Sequence, residues 1–189
     1  MLSPHGRLEG LEFTVEAAES RDGTAASTTG CRMTLPLLMI PVGVAVERRK
    51  GKSLWANELW RPVSVFDGVP ATAPWTIIEA SEDVTIFYAG NAEIALYRTE
   101  TDNYRSNLAS GSPLLWVILR RAAEGSRMEL RGVTADPAEG EALTGSGDDM
   151  VETVPMAASI GEKLNEFVAR HHVERPSFKR QRDRSGRQP

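Results

Sequence analysis

Residues 84–121 constrain the fold of this chain more than any other stretch. Residues 84–88 and 92–98 read as two strands. Between them Ala89-Gly90-Asn91 supplies residues that tolerate positive φ, so the reading is a tight hairpin. In the second strand Ala92, Ile94 and Leu96 share one face, and Glu93, Ala95 and Tyr97 the other. Thr99 or Thr101 is placed to cap a short polar helix that carries Tyr104 and Leu108 on one side and ends at Gly111. Pro113 then opens the most apolar segment, residues 114–119, expected to be a central strand buried on both faces. The whole stretch contains no His, no Cys and no glycine-rich phosphate loop, so it builds a sheet and supplies little chemistry.

The remaining segments extend the same pattern. Residues 1–35 are rich in small and polar side chains without a sustained period, so a disordered N-terminal extension is expected, with Met33 a candidate alternative start. Residues 36–174 read as a single α+β domain. Val42, Val44 and Val46 form a strand in which Gly43 marks a bulge or a close backbone approach, and the charged run 47–52 ends it in a solvated loop. Strands follow at 60–66, with Pro62 marking an edge or a strand start, at 75–80 and at 128–135. A short acidic helix covers 138–143, a strand 150–154, and Pro155 opens the main helix. Met156, Ile160, Leu164, Phe167 and Val168 give that helix one apolar stripe. The expected fold is a curled or barrel-like, mostly antiparallel sheet of seven or eight strands with the C-terminal helix packed on it, an architecture resembling the pleckstrin-homology type.

Charge divides the chain. Residues 175–189 hold six Lys or Arg against Asp183, whereas the net charge of the whole chain is −4. This basic tail is expected to be flexible and able to touch nucleic acid or an acidic protein, and the acidic body to repel nucleic acid. Cys31 is the only cysteine, which excludes an internal disulfide and any multi-cysteine metal site. The longest uncharged run, residues 33–46, is 14 long and broken by prolines, too short to span a bilayer. No secretory signal is legible at the N-terminus. A cytoplasmic location without membrane contact is expected.

Few side chains offer catalysis. The histidines are His5, in the N-terminal extension, and His171-His172 at the end of the main helix, where a cation complements the helix dipole. Adjacent helical residues diverge, so that pair makes a poor chelate, and capping outweighs catalysis. Glu79, Glu82 and Asp83, and also Asp148-Asp149, read as solvated turn acids rather than cation ligands. Gly145-Ser146-Gly147 lacks the Lys-Ser or Lys-Thr of a phosphate loop. Trp116 belongs in the core. Trp55 and Trp60 follow the basic run, and two readings stand: an exposed aromatic platform with Arg48 and Arg49, or a loop folded over the core. No catalytic residue, metal site or cofactor is assigned.

Seven ordered segments carry a family resemblance: 40–44, 46–49, 60–63 (Trp-Arg-Pro-Val), 87–90 (Phe-Tyr-Ala-Gly), 104–108 (Tyr-Arg-Ser-Asn-Leu), 133–137 (Val-Thr-Ala-Asp-Pro) and 154–156. Together they resemble a bacterial family of unknown function, number thirty-three-oh-five in its series, over residues 39–182. The resemblance implies no established activity. It implies genes set near those of molybdenum-dependent formate dehydrogenase and its accessory factors, and in some members a label as molybdopterin-guanine dinucleotide biosynthesis proteins. A nucleotidyltransferase of that pathway opens with a glycine-rich loop after its first strand, where this chain has the charged run 47–52.

The leading expectation is therefore a non-enzymatic accessory protein with a protein partner, contacted through Arg48, Arg49, Trp55, Trp60, Lys179 and Arg180. A molybdopterin-guanine dinucleotide enzyme or carrier is the alternative, with a phosphate pocket of Arg48, Arg61, Arg105 and Arg120. RNA binding through the tail and the Trp55/Trp60 loop is the weaker third.

Overall fold

Two antiparallel sheets share one apolar core. The structure, a computed structural model, describes residues 35–53, 56–122, 128–145, 147 and 149–174. The first sheet runs in the order β2 (Ala56–Asp67), β1 (Leu38–Ser53), β4 (Val84–Leu96), β3 (Thr76–Ala80). The second runs β6 (Met128–Thr134), β5 (Leu114–Arg121), β7 (Met150–Pro155). The helices are α1 (Thr101–Leu108), α2 (Pro137–Thr144) and α3 (Ala158–His171). β4 lies against β6 and β7 against β2, so the sheets curl around the core without hydrogen-bonding into a closed barrel. The curled, mainly antiparallel α+β class and the packed C-terminal helix agree with the sequence, and the sheets are not closed into a barrel.

Residues 84–96 are the main departure. They form one strand, not a hairpin. β4 pairs with β1 throughout, as Phe87 with Val46 and Ile94 with Ile40. Val44 faces Gly90 while Ala45 faces Tyr88, so Ala89 is an extra residue in a bulge. The apolar pattern explains why. Phe87 sits on the face of β4 that meets Val46, and beyond the bulge Ala92, Ile94 and Leu96 take that same face. An odd set must give way to an even set, and one inserted residue makes that switch. Gly90, at φ 134°, accepts the backbone bend that a side chain would resist. The charged run 47–52 likewise lies in β1 rather than ending it, paired with β2 as far as Ser53 opposite Ala56.

Gly43 is a close approach: the Phe66 ring lies where its side chain would be. Pro62 sits on edge strand β2 beside a second bulge, where its missing N–H costs nothing in the ladder. Pro155 closes β7 instead of opening α3. The helix starts at Ala158 and buries Ile160, Leu164, Phe167 and Val168. β5 is central in its sheet, with Leu115, Val117 and Leu119 fully buried.

Neither Thr99 nor Thr101 caps α1, whose N-cap residue is Glu100 and has no side-chain cap bond. The helix is fixed instead from its buried side. Asn107 donates to the Leu114 carbonyl (2.8 Å) and the Ala135 carbonyl (2.9 Å), and accepts from the Leu114 N–H (3.0 Å). Tyr104, also buried, accepts the Tyr97 N–H at 3.1 Å. Asp136 caps α2 through the Ala138 N–H, with Pro137 in the first turn. α2 then rests Gly140 on the Trp116 indole, where any side chain would overlap the ring.

Three outcomes follow for stability. Asn107→Ala leaves the buried Ala135 carbonyl and the part-buried N–H and carbonyl of Leu114 short of a partner and should cost about 2–4 kcal/mol in urea unfolding. Gly140→Ala should cost about 1–3 kcal/mol by forcing α2 off Trp116. Burial pushes the Tyr104 phenol up to about 12 from its ordinary 10.0. The unfolded chain therefore releases this proton first, and stability falls as pH rises between those values. In Tyr104→Phe that alkaline decline should be shallower, read from denaturation midpoints against pH.

Candidate functional site

Two charged surfaces flank the core. The first is the β1–β2 ribbon, which runs on past the end of β4, since β1 pairs with β4 only as far as Arg49 opposite Val84. On its core-side face the Arg48 guanidinium lies over Trp60 (5.7 Å to the ring centre) and Phe87 (5.2 Å), a cation–π arrangement. Trp75 packs edge-on to Trp60 at 5.9 Å. Trp75 holds φ 63°, rare for a bulky residue, in a turn closed by the Thr76 N–H to the Ala73 carbonyl. Its contacts with Trp60 and Phe87 offset that cost. Trp60 is buried, so its ring belongs to the core and not to an exposed platform. Its Nε1 has no hydrogen-bond partner among the described residues.

The opposite face of the ribbon carries Glu47, which pairs with Arg49 at 3.1 Å and with Arg61 at 3.9 Å. Arg48 reaches Glu58 at 3.4 Å. Lys50 is exposed on the Arg48 face and Leu59 on the Glu47 face.

The second surface is a cleft of about 350 Å³ on the outer side of β5 and β6, walled by β4 and α2. Its base is apolar, from Ala95 and Ile118. Arg120 grips Asp149 with two bonds, Nε to Oδ1 at 2.7 Å and Nη2 to Oδ2 at 2.9 Å. This hydrogen-bonded guanidinium, with Arg131 nearby, holds the Asp149 carboxyl below its usual range despite the opposing effect of burial. Arg131 is the extra residue of a bulge, since Ile118 faces Gly132 while Leu119 faces Leu130. Its nearest acid is Glu129, at 3.9 Å. Glu93 comes from β4, Tyr97 from the position just after it, and Glu139 from α2, where it accepts the Thr134 hydroxyl at 2.6 Å.

The sequence found part of this. Of the four arginines grouped as a phosphate pocket, only Arg120 lines the cleft. Arg48 and Arg61 lie on opposite faces of the ribbon, and Arg105 projects from α1 to His172 (3.1 Å) and Glu174 (3.9 Å). The four are not brought together. Trp55, Lys179 and Arg180 lie outside the described residues, as do His5, Cys31 and Asp148. Asp149 is an ion-pair partner, not a solvated turn acid. His172 accepts from Arg105 through Nε2, since a guanidinium only donates, so Nδ1 carries the proton toward Thr101 and Asp102. It ties α3 to α1. Arg131 was missed; Gly132 inside a strand pattern was the available signal for its bulge. Among the described residues no His, Cys, Asp or Glu group has metal-holding geometry, and no helix is long and apolar enough to cross a membrane.

These features define a small α+β domain of two antiparallel sheets, with charged surfaces on either side of one core. The chain belongs to the family described as Protein of unknown function (DUF3305), which it matches over residues 41–182. Searches of curated proteins and of solved structures gave no match.

Asp149 provides a direct test of the cleft. Its ionised form contributes stability above the ordinary carboxylate range, and that contribution is lost as pH falls through its lowered value. By carbon-detected NMR titration, Asp149 should titrate below the ordinary aspartate value. In Arg120→Gln its midpoint should return toward that value.

Proposed function

We propose that this chain is a non-enzymatic, cytoplasmic accessory protein that binds an acidic protein partner through the β1–β2 ribbon, in the maturation of a molybdenum-dependent formate dehydrogenase. The observation that carries the binding reading is the ribbon itself. On one face Arg49 and Arg61 flank the exposed Leu59, with Glu47 between them, and on the other Arg48 and Lys50 lie beside Glu58. A cationic rim around an apolar contact suits an acidic protein surface, steering encounter while the apolar side chain adds affinity. Trp55, Lys179 and Arg180 add to the same contact in this proposal. The formate dehydrogenase context rests on the gene neighbourhood that the family resemblance implies.

The alternatives draw less support. A molybdopterin-guanine dinucleotide pocket built from Arg48, Arg61, Arg105 and Arg120 meets the separation of those residues and their different acidic partners. A base-stacking platform for RNA loses Trp60 to the core.

The test is affinity purification from the native host with mass spectrometry. The wild-type chain should recover a formate dehydrogenase component or maturation factor. Arg49→Glu with Lys50→Glu should reduce that recovery at least about tenfold, the loss expected when rim charges are reversed. Deleting residues 175–189 should weaken it further. If the wild type recovers no such component, the maturation reading fails. Undiminished recovery by the charge-reversed variant would remove the ribbon as the contact.

A further inference from the structure

We propose that the cleft between β4, the β5–β6 face and α2 is a binding site for a free basic α-amino acid, of the arginine or lysine class. The site is separate from the ribbon, and the inference stands independently of the function proposed above. It begins from an inventory of the cleft's charges. Asp149 and Arg120 satisfy each other through two short bonds, so that pair is committed. Among the described residues three other charged groups face the cleft. Arg131 has its nearest carboxylate only at the 3.9 Å limit. Glu93 has no ion pair among the described residues. Glu139 accepts from the Thr134 hydroxyl, a neutral donor, and so keeps its charge uncompensated.

One guanidinium and two carboxylates therefore surround an apolar base. The complement of that set is one carboxylate and two cations joined by an aliphatic stem. A basic α-amino acid carries those groups: an α-carboxylate for the Arg131 fork, an α-ammonium and a side-chain cation for Glu93 and Glu139, and methylenes to lie along Ala95 and Ile118. The volume, about 350 Å³, lies at the small end of the range for molecular sites and admits a ligand of this size. Gly132 leaves room at the base, since a side chain added there would meet nothing. The bulge that inserts Arg131 is the kind of irregularity that re-aims a side chain beside a site. Asp149, held ionised by its neighbours, keeps Arg120 occupied and leaves Arg131 to recognise the ligand. The rim is open to water, so the affinity is expected on the order of 0.1–1 mM.

The test is an amide NMR titration of the full chain, following Ala95, Gly132 and Leu143, with ligands up to about 10 mM. L-Arginine and L-lysine should give saturable shifts at these positions. Norleucine, which lacks the side-chain cation, and agmatine, which lacks the carboxylate, should bind at least about fivefold more weakly, and glutamate not at all. Arg131→Gln should abolish the preference for arginine over agmatine. Glu93→Gln with Glu139→Gln should abolish the preference for lysine over norleucine. Gly132→Val should block every ligand by filling the base. The charge variants serve if Gly132→Val does not fold, as judged by its melting curve. Absence of saturable shifts with arginine and lysine would overturn the proposal. Equal binding of glutamate, norleucine or agmatine would overturn it too.

Discussion

A single core face must be kept along strands whose apolar patterns change phase, and the rest of the molecule depends on how that is done. In β2, Trp60 and Pro62 sit opposite Arg48 and Val46, but Val65 sits opposite Val44. In β4, Phe87 gives way to Ala92 and Ile94. In β6, Leu130 faces Leu119 but Val133 faces Val117. Each strand shifts from one parity to the other, and each does so through one extra residue. Without Val63, Ala89 and Arg131 as insertions, half of each strand would turn its apolar set to solvent. The same insertions add local twist, which bends the two sheets around the core instead of leaving them flat.

The second constraint is polar. A carboxamide offers two donors and an acceptor, and Asn107 uses all three on backbone groups that the strands leave unpaired near Leu114 and Ala135. Asn103 continues the seam, donating to Glu100 and to Asp136 at 3.1 Å each. Asp136 in turn caps α2, and its own N–H donates to the Thr134 hydroxyl. Helix α1 is thus a strut between the end of β4, the start of β5 and the end of β6. It places α2 over Trp116 and so sets one wall of the cleft. Segments 104–108 and 133–137, which carry much of the family resemblance, meet each other in this seam, and their role here is to hold the scaffold.

Much of the architecture was legible because burial writes it into periodicity. The α3 stripe and the apolar run of β5 need no tertiary context to be read. What failed were the places where two local signals look alike. A phase break beside Gly90-Asn91 reads as a hairpin, because a bulge and a tight turn both call for positive φ and both interrupt alternation. The charged run 47–52 reads as a loop, because an exposed two-stranded ribbon has no buried face to impose a period. The arginines could not be sorted at all from sequence. Arg48 and Arg61 are drawn apart by strand parity and Arg120 is claimed by an acid 29 residues away, which only the register reveals.

Strand β4 is where the two charged surfaces meet mechanically. Thr85 and Phe87, before its bulge, back the root of the ribbon beneath Arg48 and Val46. Glu93, Ala95 and Tyr97, beyond it, wall the cleft. The parity switch at Ala89 turns Glu93 outward; an unbroken strand would place it on the core face with Phe87, where an unpaired carboxylate is costly. The same switch keeps Ile94 and Leu96 inside, both fully buried. One inserted residue therefore completes the core and exposes the cleft wall at once. The stability of the fold and the chemistry of that surface are consequences of a single backbone irregularity.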